Sequence, residues 1–303
     1  MAESIQIVEV APRDGLQADP ADLTTAQKIE LVERLSAAGH TRIEAASFVS
    51  PAAVPKMADG DAVMAGVPRP DGVSYSALAF NTRGVERAVA AGADEVTGVV
   101  VASETFSQKN QNASIAESVE RWRQVCEAAQ AADLRTSVII AAAFGCPFEG
   151  RVDPGVVVDL AEQLAEPGPV EVALADTIGV AVPTGVAALF ASVADRLGTG
   201  GPQLRAHFHN TRNTALANIA AAIDGGVRTF DSSLGGVGGC PFAPRATGNV
   251  PTEDVVYMVE EMGFDAGLDL DALIATTGWL EEQLQHPTPG LVAKAGGWPG
   301  ANA

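Results

Sequence analysis

Positive charge is what this chain has least of. Against 38 acidic residues it sets 19 lysines and arginines, for a net charge of -19 and an isoelectric point near 4.5. A surface of that sign repels nucleic acid and anionic lipid headgroups, which need a cationic face, so no nucleic-acid or membrane partner is expected. Lysine is scarcest, confined to Lys28, Lys56, Lys109 and Lys294. An anionic substrate must therefore be met by a local group of arginines. Cysteine occurs three times, at Cys126, Cys146 and Cys240, too few and too scattered for a disulfide frame. That usage fits thiols in a reducing compartment. Long apolar runs are missing as well, since Asp176 interrupts the best of them short of the ~20 residues a membrane helix needs. The opening stretch Ala2–Val10 has neither the basic start nor the apolar core of a secretory signal. These absences together predict a soluble cytoplasmic protein.

What the chain does have is a repeat. Short β-branched runs alternate with longer helical stretches rich in Ala, Glu and Arg, the pattern of parallel βαβ units. Strands are expected at Ile5–Val10, Thr41–Ala46, Gly72–Ala79, Glu95–Val101, Arg135–Ala143, Glu171–Asp176, Leu204–His209 and Thr229–Ser232. Helices are expected at Thr25–Ala38, Pro55–Gly66, Thr82–Ala91, Ser114–Ala132, Pro154–Leu164, Pro183–Leu197, Thr214–Asp224 and Thr252–Met262. Gly39, Gly92, Gly225 and Gly263 follow helix ends, where a left-handed residue is wanted. Eight units close into a (β/α)8 barrel of roughly 250 residues, which the length of 303 accommodates. An extra helix at Leu270–Gln285 completes a domain over residues 1–286, and a Gly/Pro-rich tail, 287–303, reads as loosely ordered. A doubly wound sheet would want a glycine-rich turn after its first strand, but Ala11-Pro12-Arg13-Asp14-Gly15 is charged.

In such a barrel, chemistry collects where strands end and loops begin. The first strand ends on Arg13 and Asp14, the second on Glu44 and Ser47, and the sixth on Asp176 and Thr177. The seventh carries His207 and His209, and the loop after the eighth carries Cys240 and Asn249. Residues two apart in a strand share a face, with Cα atoms roughly 6.6 Å apart, so His207 and His209 can grip one ion. Strands seven, eight and one are neighbours in a closed barrel. Asp14, His207, His209 and Asn249 therefore converge from one sector as a mixed N/O set suited to Mg²⁺ or Mn²⁺, with Zn²⁺ or Co²⁺ also compatible.

Plainer readings stand beside these. Asp14 and Asp176 are also placed to cap the helices that follow. Glu44 is also placed to pair with Arg13, and Cys126 and Cys146 suit packing. His40 and His286 fall in turn and tail segments and read as solvated. The run Ser232–Pro241 has too many glycines for strand or helix, and as the loop after the eighth strand it reads as a mobile lid that carries Cys240 over the site.

Several motifs resemble those of the 3-hydroxy-3-methylglutaryl-CoA lyase family. They are Ala11-Pro12-Arg13-Asp14-Gly15-Leu16-Gln17, Ser47-Phe48-Val49-Ser50-Pro51 and Ser103–Asn110. Gly145-Cys146-Pro147-Phe148-Glu149-Gly150, Asp176-Thr177-Ile178-Gly179-Val180, the Gly235–Asn249 loop and Thr252–Met258 complete them. The resemblance implies a metal-dependent lyase that splits a branched 3-hydroxyacyl-CoA to acetyl-CoA and a keto acid, as in leucine degradation. It implies Asp14, His207, His209 and Asn249 as metal ligands, and Arg13, Asp14, Glu44, Asp176, His207 and Cys240 as catalytic residues. It further implies substrate contacts at Gln17, Ser47 and Asn110, and a homodimer.

Four departures bear on the acyl or CoA pocket. The family's usual Asn-Glu-Lys after Gln17 is Ala18-Asp19-Pro20, and its Lys-Trp after Pro51 is Ala52-Ala53. Its Asp-Thr-Tyr-Gly after His209 is Asn210-Thr211-Arg212-Asn213, and Pro244-Arg245 stands where a small residue and glycine are usual. A pyruvate-linked aldolase or a Claisen-type condensing enzyme of the same group is the alternative reading.

Overall fold

A computed structural model describes residues 2–239 and 248–299. Its strands are β1 (Gln6–Glu9), β2 (Arg42–Ser47), β3 (Ser74–Leu78), β4 (Glu95–Val101), β5 (Arg135–Ala141), β6 (Glu171–Asp176), β7 (Gln203–Phe208) and β8 (Thr229–Ser232). All pair in parallel in sequence order, and β1 pairs with both β2 and β8, so the sheet closes as expected. The strands are buried on both faces because helices cover the outside, the usual state of an all-parallel sheet. No helix among the described residues is long and apolar enough to cross a membrane.

Most expected elements recur to within one or two residues at their ends. Local chemistry explains the agreement. Thr24 with Gln27, and Ser114 with Glu117, form reciprocal capping boxes at two helix starts. The helix expected over Pro55–Gly66 is split into a 3-10 turn, Pro55–Met57, and a helix, Gly60–Gly66. There Lys28 Nζ draws on the Lys56 carbonyl (2.6 Å) and the Asp59 carboxylate (2.7 Å), opening the ladder between the two. A helix over Glu104–Gln111 was not expected. Ser103 caps it and Asn112 ends it at φ 49, but its polar sequence has no apolar period. After the helix Ala215–Asp224 the left-handed residue is Gly226 (φ 89), since Gly225 (φ -79) still donates to Ala221.

Two expectations are corrected by packing. His40 is fully buried, not solvated, and burial pushes its pKa down to about 3, so the ring is neutral. His286, by contrast, is partly exposed and pairs with Asp19 at 3.0 Å. The described part of the tail, 287–299, is docked. Asp254 receives the N–H groups of Leu291 and Val292, and Glu281 receives the N–H and the hydroxyl of Thr288.

The glycine-rich stretch likewise starts as fixed structure. Leu234–Gly236 is a buried 3-10 turn whose Leu234 N–H donates to Glu9 (3.0 Å) and whose Gly235 N–H donates to Glu253 (3.0 Å). A Cβ on Gly235 would lie 2.8 Å from Thr288, at φ +67, so only glycine fits. Glu9 also accepts from Ala11 N–H and the Thr252 hydroxyl.

Burial pushes the carboxyl of Glu9 up from 4.5 to about 7 and that of Glu253 to about 8. A raised carboxyl favours folding when protonated. That contribution is complete below about 4.5 and lost as pH rises through 7 to 8, on the order of 3 kcal/mol for Glu9. The denaturation midpoint should therefore fall between pH 5 and 8, and Glu9→Gln should flatten that fall. An unchanged slope in the variant would show that Glu9 does not carry it.

Candidate active site

The turn after β1 is a tight π-helical turn, Ala11–Gly15, in which Asp14 and Gly15 both donate to the Val10 carbonyl. It swings Arg13 and Asp14 over the barrel mouth. Arg13 Nε donates to Glu44 Oε2 at 2.7 Å and Nη2 reaches the same oxygen at 2.5 Å, while Nη1 donates to Asp14 at 2.8 Å. The pairing reading of Glu44 therefore holds, and its Oε1 stays buried without a hydrogen bond. Burial pushes the Glu44 carboxyl up while Arg13 opposes it.

On β7, Arg205, His207 and then His209 share the inward face, and His207 and His209 have ring centroids 5.2 Å apart. Asp14, His207 and His209 each present a donor atom within 4.8 Å of the others. Asn249, bridged to His209 through the backbone, donates Nδ2 to Asp14 Oδ2 at 2.8 Å and leaves Oδ1 buried and unpaired. Burial pushes the Asp14 carboxyl up, but Arg13, the two histidines and the Asn249 amide overcome it and hold it at about 2. Burial and the neighbouring His207 push His209 down to about 3. The result is an ionised carboxylate beside a neutral imidazole, the protonation states that ligate. Asp14 keeps 22% side-chain exposure and marks the open side of the cluster.

Beneath the rim lies a layer that the sequence reading missed. Arg42 bonds Glu95 (2.5 Å) and Glu171 (2.6 Å), and Arg205 lies 3.5 Å from Glu171 and 3.4 Å from Asp231. Asp231 in turn faces His207 Nδ1 at 3.1 Å. Counting Asp14 and Glu44, five buried or half-buried carboxylates face three guanidiniums. Burial pulls the pKa of His207 down, but Asp231 and Asp14 hold it above its usual range, so His207 carries part of the balance. A divalent cation among Asp14, His207 and His209 would carry it instead. Asn249 Oδ1 and His209 Nδ1 are both buried without a hydrogen bond and so free to ligate, and the residues present fit the ion. The sequence signal for Asp231 was its place two residues from Thr229 on a strand beside the histidines.

The remaining expected residues divide. Asp176 caps the turn after β6, with both oxygens taken by Val180 and Ala181 N–H groups, so the structure does not bring it into the donor cluster. Ser47 is buried at the end of β2, Gln17 buries an unpaired Oε1 three residues beyond Asp14, and Asn110 is exposed on the outer helix. Cys146 is packed, accepting from Ser103 Oγ at 2.9 Å, and Cys126 is core. Cys240 lies outside the described residues. A cavity of about 750 Å³ opens at the opposite end of the barrel, against Arg135, Glu171 and Gln203, and shares nothing with the rim cluster.

Residues 4–279 match the HMGL-like family. The chain is 45% identical over 304 residues to "(R)-citramalyl-CoA lyase" of Chloroflexus aurantiacus, covering 97% of this chain and 95% of that one. It is 45% identical over 271 residues to the hydroxymethylglutaryl-CoA lyase of Pseudomonas mevalonii, covering 89% of each. A solved HMG-CoA lyase of Acinetobacter baumannii, in complex with coenzyme A and 3-methylmalate, superposes with a TM-score of 0.94. That structure has 41% identity, covering 99% of this chain and 97% of its own.

The donor atoms come from separate loops, so an ion should order the rim without being needed for the barrel to fold. Titration of the chelator-treated protein with Mn²⁺ should show one tight site that His207→Ala or His209→Ala abolishes. Far-UV circular dichroism should be unchanged by chelation. Unfolding on chelation, or equal Mn²⁺ affinity in the histidine variants, would remove the site.

Proposed function

We propose, from the premise that this chain belongs to the HMGL-like family and is a carbon–carbon lyase acting on a CoA thioester, that it cleaves 3-hydroxy-3-methylglutaryl-CoA or a closely related branched 3-hydroxyacyl-CoA. The observation that carries this is the convergence of Arg13, clamped by Glu44, with the Asp14–His207–His209 donor set. A retro-Claisen cleavage needs those two things side by side. One centre must draw electrons from a hydroxyl, and another must accept charge on a thioester oxygen.

In the reaction the 3-hydroxyl loses its proton, the bond between C2 and C3 breaks, and C3 becomes a ketone. The electron pair passes to C2 and the thioester as an enolate, and a proton added at C2 gives acetyl-CoA. A bound divalent ion, Mg²⁺ or Mn²⁺ by donor type, supplies Lewis-acid polarisation of that hydroxyl and orients the free carboxylate. The proton leaves to an Asp14 oxygen of the same cluster. Arg13 meets the developing enolate oxygen with a permanently charged donor, and Glu44 fixes its direction. Asp176 acts from behind, holding the turn after β6 in shape. Cys240 is assigned the proton donation to C2, with Gln17, Ser47 and Asn110 contacting the substrate.

The relative named for citramalyl-CoA supports a second acyl group within the same chemistry. A citramalyl thioester carries its carboxylate on the carbinol carbon, and a hydroxymethylglutaryl thioester carries it one methylene further out. Cleavage yields acetyl-CoA from both, but pyruvate from the first and acetoacetate from the second.

A panel of both thioesters, assayed with Mg²⁺ or Mn²⁺ for the keto acid released, separates the two. Acetoacetate in preference is expected; pyruvate alone would assign the citramalyl group, and no acetyl-CoA from either would sink the lyase reading of the acyl class. In the same assay Arg13→Lys should lower turnover by about 10²–10³-fold, because charge remains but the fork is lost. Cys240→Ser should lower turnover while Mn²⁺ still binds. Near-full activity would remove the altered residue from the mechanism.

A further inference from the structure

We infer that Asp231 and Arg205 position the His207 imidazole, fixing its tautomer so that Nε2 is the nitrogen offered to the ion. The inference rests on the reading of Asp14, His207 and His209 as a divalent-ion site.

The residues sit directly across from one another, for His207 pairs with Asp231 in the β7–β8 register. Asp231 Oδ2 lies 3.1 Å from His207 Nδ1, and the Asp231 side chain is 2% exposed. An ionised carboxylate can only accept, so the nitrogen that faces it, Nδ1, carries a hydrogen, and this is the ring's one hydrogen once the imidazole is neutral, as an ion-binding ring is. Nε2 is then left with its lone pair free. The opposite tautomer would place two acceptors face to face in a buried site.

A merely structural role for Asp231 does not account for its surroundings. Its other oxygen, Oδ1, makes no hydrogen bond among the described residues. Its compensating charge is Arg205 at 3.4 Å. A buried carboxylate whose single hydrogen bond goes to a histidine is placed for that histidine. Arg205 is anchored in turn at 3.5 Å by Glu171, which Arg42 holds together with Glu95. The signs alternate from Glu95 to Asp231, so the carboxylate reaching His207 stays ionised without solvent. Partners that fix a ligating histidine in this way strengthen the ion's affinity, and their loss typically weakens it about 10- to 100-fold.

Chelator-treated full-length protein titrated with Mn²⁺, followed by calorimetry and by the electron paramagnetic resonance of free Mn²⁺, tests this. Asp231→Asn should weaken Mn²⁺ binding by about 10- to 100-fold at an unchanged circular dichroism spectrum. Wild-type binding with equal affinity in the folded variant would overturn the inference. A second measurement needs no variant fold. Long-range ¹H–¹⁵N correlation of the histidine-labelled wild type, in alkaline buffer and assigned by the loss of one ring in His207→Gln, reads the tautomer. The Nδ1–H form is expected, and the Nε2–H form would overturn the inference. A wild type that binds no Mn²⁺ would instead sink the ion site, and the tautomer would still decide the role of Asp231.

Discussion

Charge buried inside a barrel has to be settled locally, because no water reaches it to do so. TIM-barrel interiors are commonly filled by branched aliphatic side chains in layers. Here the inward positions of β2, β4, β6, β7 and β8 carry Arg42, Glu95, Glu171, Arg205 and Asp231. A carboxylate or guanidinium left alone there would cost several kcal/mol, so each is placed against its opposite. On the rim side the ladder reaches His207, whose Nδ1 faces Asp231 at 3.1 Å beside the donor atoms of Asp14 and His209. The floor of the barrel and the chemistry at its mouth are one electrostatic unit.

The same economy shapes the loops that frame the mouth. Glu9 and Glu253 take the first N–H groups of the glycine-rich segment, so Leu234–Gly236 is pinned from below while Gly238 passes over Gly15. The docked tail adds a contact from the far side, through the Gly290 N–H to the Gly235 carbonyl. What the sequence suggests as a mobile lid is therefore fixed structure over Leu234–Gly236.

The eight-fold repeat and the rim residues could be read from the sequence because both are written locally. Strand and helix periods need only a window of residues, and strand ends are where barrel chemistry lies. Arg13, Asp14, His207, His209 and Asn249 were found on that ground. The charged layer was not, because its partners lie far apart in sequence: Arg42 meets Glu171, and His207 meets Asp231, only once the barrel has closed. His40 was misread for the same reason, since its turn is covered by distant elements. Asp176 shows the limit from the other side. Its position at a strand end suits catalysis and capping equally, and the Val180 and Ala181 hydrogen bonds show the capping.

The departures from the family pattern acquire a physical meaning in this frame. Where the family has a lysine after Gln17 this chain has Pro20, and Lys56 reaches across to donate to the carbonyls of Asp19 and Ala21. Asp19 itself is buried and paired with His286. The loop is thus braced from within, and the Lys56 ammonium is engaged by backbone. Arg212, where the family has tyrosine, likewise donates to the carbonyls of Ile178 and Gly179 and ties the turn after β6 to the loop after β7. With a net charge of -19, a CoA thioester approaches against the long-range field, which salt screens beyond about 8 Å. Within that distance Arg13 is the guanidinium fixed at the donor cluster, and Glu44 and Asp14 already balance it. Among the described residues, the donor cluster therefore has no guanidinium left unpaired for an anion, and a divalent ion held by Asp14, His207 and His209 would supply that charge.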